Sequence, residues 1–315
     1  MLFRSLDLPS TGSVLLSYGI DVPDAVPNKP APKVVSWKAI EGPFEYELTE
    51  LNSFPLDYCD YSIEGSAYSE LKPTLQVDKE FRERCGLGTR LGNEHQPWYL
   101  YALGTVDTRP RFEAVLRYKF QIDVKPTLCK LALENPDEFE IIVNGQRVVP
   151  EGGWWVSEDF RTCDLMPVLG EGETVLELRF WYRPDLELED LYLIGDFGVK
   201  KLDAEGPSPT SMTLTKLPDK LAPGSWVGQG LDFYGAAVRY KLKVARPGAG
   251  KRLRIRLPEL AATMAAVHVG QQTFPLLWAP FEADITEALD KDETEVVVEV
   301  IGGRKNILGP LHTPW

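Results

Sequence analysis

Ile141-Ile142-Val143-Asn144-Gly145-Gln146-Arg147-Val148-Val149 carries the clearest local signal in the chain. Two β-branched runs flank Asn-Gly, a dipeptide that accepts the positive φ angles of a type I′ turn, so the segment reads as a tight β-hairpin. Outward from it, the apolar pattern keeps a period of two. Phe44-Glu45-Tyr46-Glu47-Leu48 alternates as a half-buried strand does. The stretches 58–63, 114–122, 175–182 and 191–194 also read as strands, and the chain as all-β.

The hairpin has an echo. Val143-Asn144-Gly145-Gln146 is matched by His268-Val269-Gly270-Gln271, and Val115-Leu116-Arg117-Tyr118-Lys119-Phe120 by Ala237-Val238-Arg239-Tyr240-Lys241-Leu242. Trp155, Phe160 and Asp164-Leu165 find partners in Trp278, Phe281 and Asp284-Ile285, and Gly172-Glu173-Thr174-Val175 in Asp292-Glu293-Thr294-Glu295. Matches in one order, ending in equivalent strands, mean duplication. The expected architecture is two tandem antiparallel β-sandwiches, residues 34–203 with an insertion near 84–109, and residues 210–315. A breaker cluster at 203–210, with Gly206, Pro207 and Pro209, separates them. Ahead of them, 1–20 reads as a strand pair, either the remnant of a preceding domain or an arm on a sheet edge. Residues 21–33, with Pro23, Pro27, Pro30 and Pro32, read as a stiff linker.

At 315 residues the chain has room for about two domains. A net charge of −13 argues against nucleic acid as a partner and serves solubility. No apolar run approaches the roughly 20 residues of a membrane span, and the first residues carry no apolar signal segment. The expectation is a soluble protein, cytoplasmic or exported within a longer precursor. Cys59, Cys85, Cys129 and Cys163 form no CxxC pair, which excludes zinc-ribbon and thioredoxin-like spacing. They read as free, mostly buried thiols, with disulfides in one of three connectivities as the alternative. His95, His268 and His312 are too far apart for a His-rich metal centre.

Each copy resembles the galactose-binding-like jelly roll found as a sugar-binding domain in glycoside hydrolases. Residues 115–120, 139–146 and 164–178 carry the likeness in the first copy, and 226–235, 239–242 and 281–300 in the second. The stretch 304–312 is similar to the tail of large bacterial enzymes of the α-L-rhamnosidase and β-galactosidase-like kinds. The resemblance implies polysaccharide or oligosaccharide as partner, and a structural calcium ion as a possible cofactor. It also implies a (β/α)₈ catalytic domain in a parent enzyme. This chain lacks the strand–helix alternation over about 250 residues that such a barrel takes.

No Gly-x-Ser-x-Gly elbow is present, no His sits in a triad-like context, and 86–92 has glycines without the strand and helix of a phosphate loop. Asp164 and Asp284 recur in both copies and read as turn caps rather than catalysts. Sugar binding needs exposed aromatic faces beside polar groups, and two clusters fit. Trp154, on a loop after Gly152-Gly153, lies near Glu158, Asp159 and Arg161. Adjacent side chains of an extended segment diverge, and the match of Trp155 with Trp278 marks those two as scaffold and Trp154 as free. The second cluster is Trp98, Tyr99 and Tyr101, in the insertion, read as a ligand loop or as a clasp between the sandwiches. Trp37, Trp181 and Trp226 are expected in the core. The expected function is a non-catalytic carbohydrate-binding or accessory module of a glycoside hydrolase. The alternatives are a small glycoside hydrolase with its site between the sandwiches, and a structural interaction domain.

Overall fold

The Asn144-Gly145 turn forms with φ of +50° and +77°, the positive values that its hairpin requires. The computed structural model describes residues 36–90, 92, 95–202 and 210–309. The strand pair 1–20, the linker 21–33, His312 and most of the 203–210 breaker lie outside them.

The chain divides into two units that each take more than one segment. The first is Thr49–Asp219, Gly224–Ala236 and the residues from Gly303; the second is the residues up to Leu48, Lys220–Pro223 and Ala237–Gly302. This differs from a cut near 203–210. Strand β1 (Glu45–Leu48), expected in the first sandwich, pairs antiparallel with β15 (Ala237–Ala245) of the second. Alternation shows that a strand exists; it does not show which edge the strand will extend.

In the first sandwich one sheet runs β2 (Asn52–Leu56), β12 (Leu191–Gly195), β6 (Cys129–Glu134), β10 (Ser157–Asp164), β9 (Trp154–Trp155). The other runs β13 (Phe197–Lys201), β14 (Met212–Lys216), β5 (Phe112–Ile122), β11 (Gly172–Tyr182), β7 (Glu140–Val143), β8 (Gln146–Val148). Strand β3 (Tyr58–Ile63) pairs with β5 and with the short β4 (Lys72–Pro73). Alternate residues of the long strands, such as Leu116, Tyr118, Phe120, Leu176 and Leu178, fill the core between the sheets. Gly195 is required there, because a Cβ would meet the Leu128 carbonyl oxygen at 2.2 Å.

Two helices depart from the period-two reading. Helix α1 (Thr74–Arg84) buries Thr74, Val77, Asp78, Phe81 and Arg82, a helical stripe. Its buried positions include Asp78 and Arg82, so hydrophobicity alone conceals the period. Helix α2 (Pro97–Leu103) starts on a proline and ends at Gly104 in the left-handed conformation.

The second sandwich runs β1, β15, β20 (Glu293–Ile301), β17 (Met264–Val269), β18 (Gln272–Leu276), with β16 (Arg254–Leu257) paired to β19 (Phe281–Asp284). The order β15-β20-β17-β18 repeats β5-β11-β7-β8, and β16-β19 repeats β6-β10. Hydrogen bonds repeat too: Leu165 N–H donates to Cys129 O and Ile285 N–H to Leu253 O, each at 3.1 Å. Three sequence matches shift. With Tyr118 aligned on Tyr240, Gly172 answers Thr294 rather than Asp292, and with Asp164 aligned on Asp284, Phe281 answers Arg161 rather than Phe160. Val143 pairs across to Leu176 and Val267 to Val298, so the counterpart of Val143 is Val267 rather than His268. A slip of one residue would have turned every side chain to the wrong face.

Three tryptophans expected inside are exposed: Trp278 by 59%, Trp181 by 59% and Trp37 by 45%. Trp226 is buried as expected. All four cysteines are free, and Cys59, Cys129 and Cys163 are buried.

Candidate functional site

One rim of the first sandwich gathers the residues of interest from three segments. Strand β9 folds back along β10, with Ser157 opposite Trp155 and Arg161 opposite Trp154, and Val156 turns the chain at φ +63°. The loop expected at Trp154 is therefore a short strand, and its two tryptophans diverge. The Trp155 ring packs 5.2 Å from Tyr192 and 6.4 Å from Phe160, while Trp154 is 57% exposed. Arg161 shares the Trp154 face and pairs with Asp137. Glu158 and Asp159 are exposed, and Ser157 Oγ lies 3.3 Å from Asp159.

Asp137 and Glu138 belong to one 3₁₀ turn, Pro136–Glu138. Glu138 reaches the other way and accepts a 2.6 Å bond from Arg183, which also donates to Asp185 at 3.1 Å. Tyr101 Oη donates to Asp185 at 2.8 Å. Burial raises the Asp185 pKa, but the bonds from Arg183 and Tyr101 outweigh it and hold the carboxyl below its ordinary value. A continuous run of contacts thus joins Trp154 to α2, whose Trp98 and Tyr101 are exposed and whose Tyr99 is half-buried. The two clusters that the sequence shows far apart meet on one rim.

A cleft opens on this rim between the 134–139 turn and the 185–189 segment. Leu116, Tyr118, Leu178, Leu188 and Leu191 form its floor, Phe139 a wall, and Glu134, Glu187 and Glu189 its mouth. It encloses about 270 Å³ including that open mouth, and its floor has room for little more than one water. A larger ligand would therefore lie across the mouth. Burial, with Asp159 and Glu187 nearby, pushes Glu134 up. Glu189 keeps access to solvent, but the protein packed around its carboxyl, reinforced by Glu134 and Glu187, raises it to about 7. Arg90 lies 3.6 Å from Glu187, which tempers this charge. These carboxylates lie outside the clusters expected from the sequence. The alternation Leu186-Glu187-Leu188-Glu189 was their signal, because it sets both acids on the side opposite two core leucines.

Asp164 and Asp284 both cap turns. Met166 N–H donates to Asp164 at 2.9 Å and Thr286 N–H to Asp284 at 3.2 Å. For calcium, the described residues contain no group of three or more His, Cys, Asp or Glu placed to hold a metal ion. No helix among them is long and apolar enough to cross a membrane.

No family model matches the chain, and no curated protein matches it. Among solved structures it is similar to a β-D-mannosidase from Dictyoglomus thermophilum, at 12% identity over 80% of this chain and 31% of that one, TM-score 0.30. It is similar to an exo-chitosanase from Amycolatopsis orientalis, at 12% identity over 80% and 29%, TM-score 0.26. A rhamnosidase from Novosphingobium sp. PP1Y matches at 12% identity over 66% and 22%, TM-score 0.23. The chain spans less than a third of the length of each of these enzymes.

Proposed function

We propose that the first sandwich is a carbohydrate-binding accessory module of a glycoside hydrolase, and that it takes sugar across this rim. The observation that carries the reading is the 3₁₀ turn at Asp137 and Glu138. It ties the exposed Trp154 through Arg161, and the exposed α2 aromatics through Arg183, to the mouth of one cleft. An exposed indole offers a flat apolar face to the C–H surface of a pyranose, and the flanking carboxylates and guanidinium bind its hydroxyls. The catalytic (β/α)₈ domain would belong to a parent enzyme that this module positions on polysaccharide.

Titration calorimetry against a panel of soluble glycans tests this. Trp154→Ala should weaken binding about tenfold, or roughly 1.4 kcal/mol. Full binding by that variant, or none by the parent chain, would overturn the reading. A second reading, a small hydrolase, is favoured by the grouping of Glu134, Glu187 and Glu189 at one cleft mouth, where Glu189, raised to about 7, suits a proton donor. It requires turnover of aryl glycosides that Glu189→Gln abolishes.

A further inference from the structure

The outer face of the eight-stranded sheet carries an aromatic that no fold requirement explains. Trp181, near the end of β11, is 59% exposed, and no ring or cation contact among the described residues engages it. Its neighbours on that face are charged. Glu113 lies opposite on β5, and Arg179, two residues back, sits beside Val115 and Glu140. One row further, Glu177 lies opposite Arg117.

A second aromatic stands over that row. Tyr68 places its ring 3.5 Å from the Arg117 guanidinium and donates to Glu177 at 3.2 Å, yet remains 36% exposed. Arg117 is held in turn by two bonds to Asp60, at 2.8 and 2.7 Å, and Arg179 donates to Glu177 at 2.8 Å. Four residues of strand separate the rows of Glu177 and Trp181, about 13 Å at 3.3 Å per residue. The two rings are therefore spaced along β11 with polar groups between them.

We propose that this face is a second carbohydrate-binding surface, which takes a neutral oligosaccharide lengthwise along β11. Trp181 and Tyr68 serve as stacking platforms, and Arg179, Glu177 and Glu113 bind hydroxyls. Both arginines are already paired with carboxylates, so they donate to hydroxyls without drawing an anionic ligand. Rows of charge between the rings disfavour a protein partner, since interface centres are depleted in charged residues. Tyr68 is fixed before any ligand arrives, which lowers the entropy lost on binding. For the class of ligand, the proposal rests on the carbohydrate reading above.

The test titrates the full chain with short and long soluble oligosaccharides of the gluco-, manno- and galacto-series, comparing Trp181→Ala with Trp154→Ala. Trp181→Ala should lose about tenfold in affinity for the long oligosaccharides and keep its circular dichroism, because the side chain is outside the core. If Trp181→Ala binds as the parent does while Trp154→Ala does not, the sheet-face proposal falls and the rim reading stands. If the parent binds none of them, both fall. If Trp181→Ala instead removes a self-association seen by ultracentrifugation and leaves glycan binding unchanged, the face is a protein interface and the proposal is overturned.

Discussion

Asp190 shows how position alone changes a side chain. Burial, and then Asp57 and Glu189 nearby, bring it to about 8, against the ordinary value near 4. A raised carboxyl contributes stability that is whole below its unfolded value and is lost as pH rises through its folded value. Asp190→Asn should therefore gain on the parent protein steadily between about pH 4 and pH 8 and hold a constant lead above, by urea melts across that range. Parallel profiles would show that Asp190 is not held protonated. At Asp164 the question is local: Asp164→Ala removes the acceptor for Met166 N–H and should cost about 1 kcal/mol by the same melts. That turn cap was readable from the repeat, because an Asx turn depends only on neighbours in sequence. The exposure of Trp278 and Trp181 was not, since it depends on what the fold lays over a strand.

Helix α1 matters at the scale of the element because it supplies Phe81 to the core. That ring meets Tyr61, Phe112 and Tyr182 edge-on at 5.0, 5.2 and 5.3 Å. Phe81→Ala should cost roughly 3–5 kcal/mol in denaturant unfolding, the range for a buried aromatic reduced to a methyl. A loss under 1 kcal/mol would mean that the helix is peripheral. The strands β5, β7 and β11 were legible because one buried face imposes a period of two, β8 because the Asn-Gly turn implies it, and β12, buried along its whole length, as a short apolar run. The helix was hidden because two of its buried positions, Asp78 and Arg82, find partners in Arg90 and the Gly88 carbonyl rather than in apolar contact.

Neither sandwich is a single run of chain. The second takes β1 from the start of the described residues and closes it with the Phe44–Leu221 bridge. A fragment of residues 210–315 should therefore melt below the corresponding transition of the full protein, and a peptide of residues 36–48 added in trans should raise its midpoint by restoring the edge strand. A midpoint unmoved by the peptide would assign β1 no part in that fold.

That this chain is all-β, that one strand order occurs twice in it, and where the hairpin and the Asp turns fall were all readable from the residues alone. Each depends on neighbours or on a period of two. Which sandwich claims β1, which tryptophans are covered, and that Trp154, α2 and three carboxylates share one rim became visible with the packed fold. Those outcomes are set by pairings between residues far apart in the chain, and no local pattern encodes them.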